Sequence, residues 1–582
     1  MTQIKICPYP GLRAFNENES LYFKGREFHV EKSIELLKQN KFLMLTGASG
    51  DGKSSMVFAG LVPNAKAGFF RGDFGRWTIV DFRPERDPIG NFANCLTLMF
   101  GIDHVNIQSA LEPGFSSLIE LYTHSSLYLD KSKPEYQNED EKSRKKLINK
   151  ASNLLIIIDQ FEELFTNPEN FFEGQLSNNS KLLLNLIIET NKIAKAKEIP
   201  LYIVCTMRSD YIGNCTVYKG LPELIGESNY FIPRLNRNEI YQAIEEPALL
   251  SGNIITPRLV ERLLYDLKEG LDILPVLQHA LFRIWKEYSN DGSEQMDLIH
   301  YAKIGGMPSN ELSKSDNELF KEWFINLPDF KKKLLANPSL ENVLNAHANE
   351  LYETAHERYN ISNPGKKISK QLSQDIIKSS FKCLTRLDDN KAVRNRMSLP
   401  EIEQIIGNEN ITVNIIREIL IIYASPENSL IRTYDTKNSV TGNITTEWLL
   451  DITHEALIRN WINLELWVKE EQESVNTFVD FKTQIDRWEQ SHKSKEFLLS
   501  TGQYSYYNEW FISQKPNIYW FKRYLKQLIY SHNKRSDNDY LKDAEITQNS
   551  IKIIFAESVK QINLTDFLKS PDVKNSPKIV SP

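Results

Sequence analysis

The sequence predicts an α/β domain built on a parallel sheet, followed by a long and mostly helical remainder. The first observation is that short apolar runs alternate with helical patterns as far as Pro233, which is typical of a parallel sheet. The second is that a glycine-rich segment separates the first apolar run from a helical pattern. The third is that strand signals fade beyond Pro233, where amphipathic segments follow.

Length and composition set the outer limits. The chain has 582 residues, enough for about three to five domains at roughly 150 residues each. Hydrophobic residues make up 41% and charged residues 25%, which excludes a globally disordered chain. Lys and Arg number 70 against 76 Asp and Glu, so the formal charge of −6 gives no bulk attraction to nucleic acid or acidic lipid.

Several signals are missing from the sequence. The five cysteines have no C-x-x-C spacing, which argues against a disulfide framework or a zinc site and for a reducing compartment. The N-terminus has no secretory pattern, and no apolar run approaches the ~18 residues of a membrane span. We therefore expect a cytoplasmic protein without a membrane segment. The histidines show no metal-ligand spacing, and no G-x-S-x-G nucleophile elbow is present.

The predicted elements of the first domain follow in a regular order. Apolar runs predict strands at 42–46, 77–82, 154–158 and 201–206. The uninterrupted run 154–158 indicates a central strand that is buried on both faces. Residues 181–196 read as a crossover helix, and the charged stretch 130–152 predicts a surface loop or an exposed helix.

Beyond Pro233 the pattern is helical, with one mixed region. Helices are predicted at 238–250, 257–267 and 275–287, and a polar, irregular insertion is predicted at about 306–345. Residues 372–459 read as a mixture of helices and short β-like runs. Residues 462–535 read as a helical arm that is rich in Trp and Tyr. In the arm, aromatics such as Trp520 alternate with bases such as Arg523. They could stack on nucleic-acid bases or bind a partner, but a helical hairpin that buries the aromatics is favoured. The end of the chain reads as disordered.

The glycine-rich segment carries the strongest chemical signal. Residues 47–54 read GASGDGKS and fit G-x-x-x-x-G-K-[ST] at every fixed position, between a predicted strand and a helix. Backbone N–H groups and a helix N-terminus in this arrangement suit phosphate oxygens. The alternative is a chance match in a glycine turn. The predicted binding set is Gly47, Ala48, Ser49, Gly50, Asp51, Gly52, Lys53, Ser54 and Ser55, with Lys53 on the β- and γ-phosphates and Ser54 on Mg²⁺.

Acidic and basic residues follow two of the predicted strands. Asp159 ends the central strand, where it can hold Mg²⁺ through water. Glu162 and Glu163 fall on the next turn, close enough to orient an attacking water, unless they are simply the acids of a helix's first turn. Arg208 follows the neighbouring strand, so it could sense a γ-phosphate or pair with Asp159. A salt bridge to Asp210 is its alternative.

Together, several ordered motifs resemble the STAND class of P-loop NTPases, most closely its novel-STAND group. Besides residues 47–54 they are CPYPGLRAF at 7–15, YFKGRE at 22–27, DQFEE at 159–163, TMR at 206–208, LPVLQHAL at 274–281 and DITHEALIRNW at 451–461. The resemblance covers roughly residues 7 to 530, with a gap near 306–345. The resemblance implies an α/β P-loop NTPase domain with a parallel sheet at 1–235, followed by a helical lid at 236–305. It then implies a winged-helix domain with an insertion at 306–461. An α-helical arm at 462–535 and a variable, partly disordered tail at 536–582 complete the implied order.

The resemblance also implies roles for single residues. Gly25 and Arg26 match a pair that lies near the adenine and ribose. Pro275 matches a lid proline that packs against the base, and His454 matches a winged-helix histidine that contacts the β-phosphate of ADP in the resting state. From the residues alone, Arg26 could instead be an exposed residue before a helix, Pro275 a helix N1 proline, and His454 a core histidine.

The implied function is a signalling or defence switch. Such a protein binds ATP or ADP with Mg²⁺, hydrolyses ATP slowly and self-associates in its ATP form. Because the sequence shows neither sensor repeats nor an effector enzyme, a protein partner is expected to supply one. The rivals are a winged-helix DNA-binding regulator, a mechanical ATPase and a non-hydrolysing scaffold. The acidic charge disfavours DNA binding, and no helicase motif supports a motor.

Overall fold

A parallel sheet forms the centre of the N-terminal domain in the computed structural model, which describes residues 6–70, 72–268, 270, 272–388, 391–434, 449–528 and 536–569. The strands up to residue 231 are β1 Phe42–Gly47, β2 Arg76–Phe82, β3 Ser152–Ile158, β4 Phe171–Phe172, β5 Gln175–Leu176, β6 Leu201–Arg208 and β7 Asn229–Phe231. The main sheet has the order β2-β3-β6-β1-β7, and all its pairings are parallel, whereas β4 and β5 form a separate antiparallel pair.

Helices cover both faces of this sheet. They are Glu27–Asn40, Lys53–Ser55, a π-helical turn Met56–Leu61, Val62–Lys66, Pro88–Phe100, His104–Leu111, Ser117–Thr123, Pro134–Gln137, Glu141–Lys150, Glu163–Thr166, Asn178–Ala196 and Leu221–Glu227, with 3-10 helices Glu17–Tyr22 and Ser209–Val217. Ile156 and Ile158 of β3 pack into one apolar cluster and Leu155 and Ile157 into another. Because side chains alternate along a strand, both faces must be apolar, which explains the uninterrupted run. The four predicted strands are confirmed.

Four helices, Arg237–Leu250, Pro257–Asp266, Ile273–Asp291 and Leu298–Lys303, follow the sheet domain. The next segment corrects the sequence analysis. Residues 306–345 were expected to be irregular, but they contain the helices Lys314–Ile325 and Asp329–Leu334 and the start of Leu340–Ser362. Ser313 caps the first of these helices, and Phe320 is buried in the apolar cluster of the preceding helices. The few apolar residues of this polar segment therefore suffice to hold a helix in place.

We call residues 370–461 the mixed module. It contains the helices Lys370–Cys383, Leu399–Ile406, Val413–Ala424 and Ala456–Asn460, the hairpin β8 Thr385–Asp388 and β9 Lys391–Arg394, and the strands β10 Met397–Ser398, β11 Ile431–Tyr434 and β12 Leu449–Ile452. The last three strands form an antiparallel sheet in the order β10-β12-β11. Its core includes the buried aromatic rings of Phe381, Tyr423 and Trp461.

Helices make up the described part of the remaining chain: Ile462–Gln490, the 3-10 helix Lys495–Phe497, Thr501–Gln514, Ile518–Leu528 and Asp537–Lys569. Trp520, Phe521 and Tyr524 are buried with Trp510 in one apolar cluster, which favours the hairpin interpretation of the aromatics over a binding surface. Ile551, in the last helix, belongs to the same cluster. The helix Asp537–Lys569 corrects the expectation of disorder for that part of the tail, and residues 570–582 lie outside the described residues. No helix in the described ranges has both the length and the apolar character of a membrane span.

Candidate functional site

The glycine-rich segment forms a tight loop between β1 and the helix that begins at Lys53. Gly50 and Gly52 have φ values of +87° and +86°, a region that suits glycine. The backbone N–H of Ala48 donates to Asp51 Oδ2 over 2.7 Å, which braces the loop from inside. A Cβ atom on Gly50 would lie 3.1 Å from Cγ of Pro275. Pro275 is therefore packed directly on this loop.

Lys53 folds back over the loop. Its Nζ donates to the carbonyl oxygens of Gly47 (3.0 Å) and Ala48 (2.7 Å). Burial lowers the pKa of the Lys53 ammonium, and the negative charges of Glu162 and Asp51 oppose that shift. Both acceptors are neutral carbonyls, so an anion in the loop would be a stronger partner for this cation.

Asp159 is buried at the carboxyl end of β3. Its Oδ1 accepts hydrogen bonds from the hydroxyls of Ser54 (2.7 Å) and Thr206 (2.8 Å). Its Oδ2 accepts two from Arg83, from Nη2 at 2.8 Å and Nε at 3.0 Å. Burial raises the pKa of Asp159, but the Arg83 charge and the two hydroxyls outweigh it and hold the pKa below its ordinary value. An ionised carboxylate beside a hydroxyl is a donor set that fits Mg²⁺, so Ser54 and Asp159 could hold that ion.

The two glutamates after Asp159 have different surroundings. Glu162 lines both the loop cleft and a neighbouring cavity, and its Oε2 accepts the backbone N–H of Arg208 at 3.3 Å. Glu163 lines the neighbouring cavity but not the cleft, and it accepts the backbone N–H of Glu85 at 2.9 Å. Burial raises the pKa of both, that of Glu163 to about 8 although the Arg83 charge opposes the shift. Glu162 is therefore the better placed of the two to contact a ligand, and Glu163 is mostly protonated at neutral pH.

Arg208 reaches out of the sheet domain to the mixed module. Its Nη1 contacts both carboxylate oxygens of Glu455, at 2.9 and 3.2 Å, and its Nη2 donates to Asp210 at 2.7 Å. The salt bridge to Asp210 predicted as an alternative is therefore present. Pairing with Asp159 is not found among the contacts of the described residues, since Arg83 holds that carboxylate.

Glu455 and Arg459 connect three parts of the chain. Ser49 Oγ of the loop donates to Glu455 Oε2 at 3.3 Å, while Arg459 Nη1 contacts the same oxygen at 3.3 Å. Arg459 Nη2 also donates to Asp272 Oδ1 at 2.7 Å, just before the helix that carries Pro275. The loop, the residue before the Pro275 helix and the mixed module are thus joined by one chain of hydrogen bonds and ion pairs.

His454 lines the cleft and is not a core residue. Its side chain is 22% exposed, and its Nδ1 accepts the backbone N–H of Ala456 at 3.0 Å. Burial lowers the pKa of His454 to about 4, against the opposing charge of Asp272. The imidazole is therefore neutral at pH 7.

The N-terminal segment closes the other side of the cleft. Arg26 is only 3% exposed and donates to the carbonyl oxygens of Pro233 (2.7 Å) and Asp51 (3.1 Å), so it is not an exposed residue before a helix. A Cβ atom on Gly25 would lie 2.3 Å from the carbonyl oxygen of Glu239, so glycine is required there for close backbone packing. The backbone N–H of Phe15 donates to Ser55 Oγ at 3.1 Å.

A single cleft gathers most of the predicted residues. It is lined by Arg26, Ser49, Gly50, Asp51, Gly52, Lys53, Ser54, Ser55, Glu162, Arg208, Pro275 and His454, and also by apolar residues such as Leu235, Ala243 and Leu274. Gly25, Gly47, Ala48, Asp159 and Glu163 lie behind or beside it. The apolar side next to a loop of inward-turned backbone suits a ligand with a flat ring and a phosphate tail.

Four residues of the site were not predicted from the sequence: Arg83, Asp272, Glu455 and Arg459. Arg83 had a detectable signal, because it follows β2 as Asp159 follows β3, and Phe82 pairs with Ile158. Glu455 stands next to His454 in the quoted motif. Asp272 had no signal, since only the packing of its helix against the mixed module brings it to Arg459.

Residues 8–327 and 329–496 match the family described as Novel STAND NTPase 1. The chain belongs to this family. It is therefore a nucleotide-binding NTPase of the STAND class, for which Mg²⁺ is the usual companion of the nucleotide. The gap expected near 306–345 is wrong, since the match is interrupted there only at position 328. No curated protein matches the sequence.

Several solved structures are similar to the chain at low sequence identity. Cdc6p of Pyrobaculum aerophilum is 11% identical and covers 77% of this chain and 94% of its own, with a TM-score of 0.29. ORC1 of Aeropyrum pernix, in complex with DNA, is 12% identical over 77% of this chain and 93% of its own (TM-score 0.31). RuvB of Thermotoga maritima, a Holliday junction branch migration motor, is 9% identical over 66% and 95% (TM-score 0.28).

Proposed function

We propose that this STAND NTPase is a nucleotide-controlled switch that rests with ADP in the cleft and is activated by ATP. One observation carries the proposal. Arg208, at the end of a central strand, is held by Glu455 of the mixed module, and Glu455 also accepts a hydrogen bond from Ser49 of the loop. A carboxylate from another part of the chain thus neutralises the arginine that is best placed to meet a terminal phosphate.

The exchange of one anion for another would drive the switch. A γ-phosphate offers Arg208 more charge and more acceptor oxygens than a carboxylate does, so ATP competes with Glu455 whereas ADP leaves the pair intact. The two nucleotides then differ in their affinity for the docked and undocked forms, which is what a ligand needs to shift a population. Neutral His454 would donate its Nε2–H to the β-phosphate of ADP, because its Nδ1 is already an acceptor.

Slow hydrolysis of ATP fits the same arrangement. Ser54 and Asp159 would hold Mg²⁺, which when bound neutralises phosphate charge, and Lys53 would turn from its carbonyl acceptors to phosphate oxygens. Glu162 would orient the attacking water. Its Oε2 already accepts the backbone N–H of Arg208, a hydrogen bond that stabilises the carboxylate and so weakens it as a base. A weak base gives slow ATP turnover, as expected of a switch protein and not of a mechanical ATPase.

Undocking would expose the surfaces by which the switch acts. We propose that the mixed module is the winged-helix domain of this family, which the antiparallel order β10-β12-β11 and the helices around it support. Its release would allow self-association of the ATP form. A protein partner would supply the trigger or the output in signalling or defence, and the site of action would be the cytoplasm.

The first experiment identifies the bound nucleotide. The full chain is purified natively without added nucleotide and denatured, and the released molecules are identified by chromatography. We expect near-stoichiometric ADP, and its loss in His454→Ala. His356→Ala serves as the matched control, since His356 lies outside the cleft. An empty wild-type protein that turns over ATP quickly would contradict the switch.

A further inference from the structure

Arg83 has no role in the proposed function, yet it touches both the site and the mixed module. Because Phe82 of β2 pairs with Ile158 of β3, Arg83 emerges beside Asp159 at the sheet edge. Two of its nitrogens donate to Asp159 Oδ2, and the third, Nη1, donates to the hydroxyl of Tyr434 at 3.1 Å. A single guanidinium therefore connects the acid of the sheet domain to strand β11 of the module.

On the module side, Tyr434 is held in place by buried contacts with Arg396. The Arg396 guanidinium carbon lies 4.1 Å from the centre of the Tyr434 ring, and Arg396 pairs with Glu85 of the sheet domain and with Asp451 of β12. Tyr434 is 6% exposed, so its hydroxyl points into this buried cluster and not into solvent. The position of Arg83 thus depends on the docking of the module.

Asp159 has few free lone pairs in this arrangement. Two hydroxyls occupy Oδ1, and the arginine fork occupies Oδ2. A divalent cation or its bound water needs an available carboxylate oxygen and an uncompensated negative charge. A guanidinium at 2.8 Å removes that charge and repels the cation over a short distance in a water-poor site. Arg83 and Mg²⁺ are therefore competitors for Asp159.

We propose that Arg83 is a positioning residue that occupies Asp159 while the mixed module is docked, and thereby makes the docked form bind nucleotide without help from Mg²⁺. By linkage, Mg²⁺ that reaches Asp159 draws Arg83 away from Tyr434 and favours release of the module. The inference rests on the proposed switch and adds the metal as a second linked ligand.

The test measures how strongly Mg²⁺ affects ADP binding. The dissociation constant of ADP from the nucleotide-stripped full chain is determined by titration calorimetry, once in EDTA and once in Mg²⁺. The constant in EDTA divided by the constant in Mg²⁺ is then compared between variants. We expect a ratio within about threefold of unity for the wild type and roughly tenfold or more for Arg83→Gln. Arg83→Lys should lie between them. Arg86→Gln is the matched control, since Arg86 is in the same loop and contacts Glu169 and Asn395.

Two results would overturn the inference. One is a ratio of dissociation constants for Arg83→Gln that equals the ratio for the wild type. The other is loss of ADP binding by Arg83→Gln both in EDTA and in Mg²⁺, which would make Arg83 a direct nucleotide ligand. Tyr434→Phe keeps the ring under Arg396 and removes only the hydroxyl, so it tests the module link without a buried cavity. Its ratio should rise toward that of Arg83→Gln, and an unchanged ratio would refute the link. A wild type that binds no ADP in either medium would instead contradict the switch itself.

Discussion

The two walls of the cleft are held in different ways. The loop wall, residues 47–55, is one continuous segment whose shape comes from β1, from two glycines with positive φ and from its internal bond between Asp51 and Ala48. The module wall, residues 454–459, is held at the cleft by side-chain contacts, which are ion pairs with Arg208 and Asp272 and a hydrogen bond with Ser49. The first wall persists when the ligand changes, whereas the second depends on which anions are present.

This difference indicates which wall is the permanent site and which is the moving part. Backbone geometry belongs to the fold, so the shape of the loop does not depend on which anion occupies the cleft. The carboxylate of Glu455, in contrast, can be replaced at Arg208 by another anion of higher charge. Three predictions test the comparison, beginning with the largest effect.

The largest effect is expected at the loop wall, from Lys53→Ala. Loss of a charge-assisted contact to phosphate should cost about 2–3 kcal/mol, or roughly 30- to 150-fold in the affinity for both ADP and ATP. Titration calorimetry on the stripped protein measures this. Lys66→Ala, which removes a partly exposed lysine paired with Glu17, is the control. Equal affinities for Lys53→Ala and the wild type would mean that the loop is not the phosphate site.

A smaller and selective effect is expected at the module wall, from Glu455→Gln. The substitution removes the charge that holds Arg208 and Arg459 but keeps the size of the side chain. ADP should dissociate about tenfold faster, because the docked form is weakened by roughly 1.4 kcal/mol, while ATP binding is unaffected or tighter. Stopped-flow release of a fluorescent ADP analogue measures the rate. Glu465→Gln removes a comparable charge from an exposed pair with Lys469 and should change nothing. Equal losses for ADP and ATP would argue against anion exchange.

The smallest effect concerns pH and His454. Its pKa in the folded chain, about 4, is below the ordinary value of 6.5, so the unfolded chain binds the proton more readily. The corresponding stability is complete above about pH 6.5 and is lost as the pH falls toward 4.

Without nucleotide, the melting temperature of the wild type should therefore fall by about 2–4 °C more than that of His454→Gln between pH 7 and pH 5. The buried His279 and His347 are present in both proteins and cancel in the difference. If the melting temperatures of the two proteins fell by the same amount, the pKa of His454 would not be lowered in the folded chain.

The sequence was most informative where one short segment determines both structure and chemistry. The run 154–158 predicted a central strand and Asp159 its functional end, and the loop 47–54 predicted its own conformation. The sequence does not distinguish Glu162 from Glu163, but in the fold only Glu162 lines the cleft, whereas both line the neighbouring cavity. The helices of region 306–345 were not predicted because they depend on packing against the four preceding helices.

Local patterns of apolar and glycine residues were enough to predict the sheet and the phosphate-type loop, and a set of short motifs was enough to predict the family. The partners of several charges became known from the fold alone: Arg83 with Asp159 and Tyr434, Arg208 with Glu455, and Arg459 with Asp272. The three ion pairs among these contacts join residues that are at least 76 positions apart in the chain. A local ion pair such as Arg208 with Asp210 can be predicted from spacing, whereas a distant pair depends on which charges the fold brings within a few ångströms.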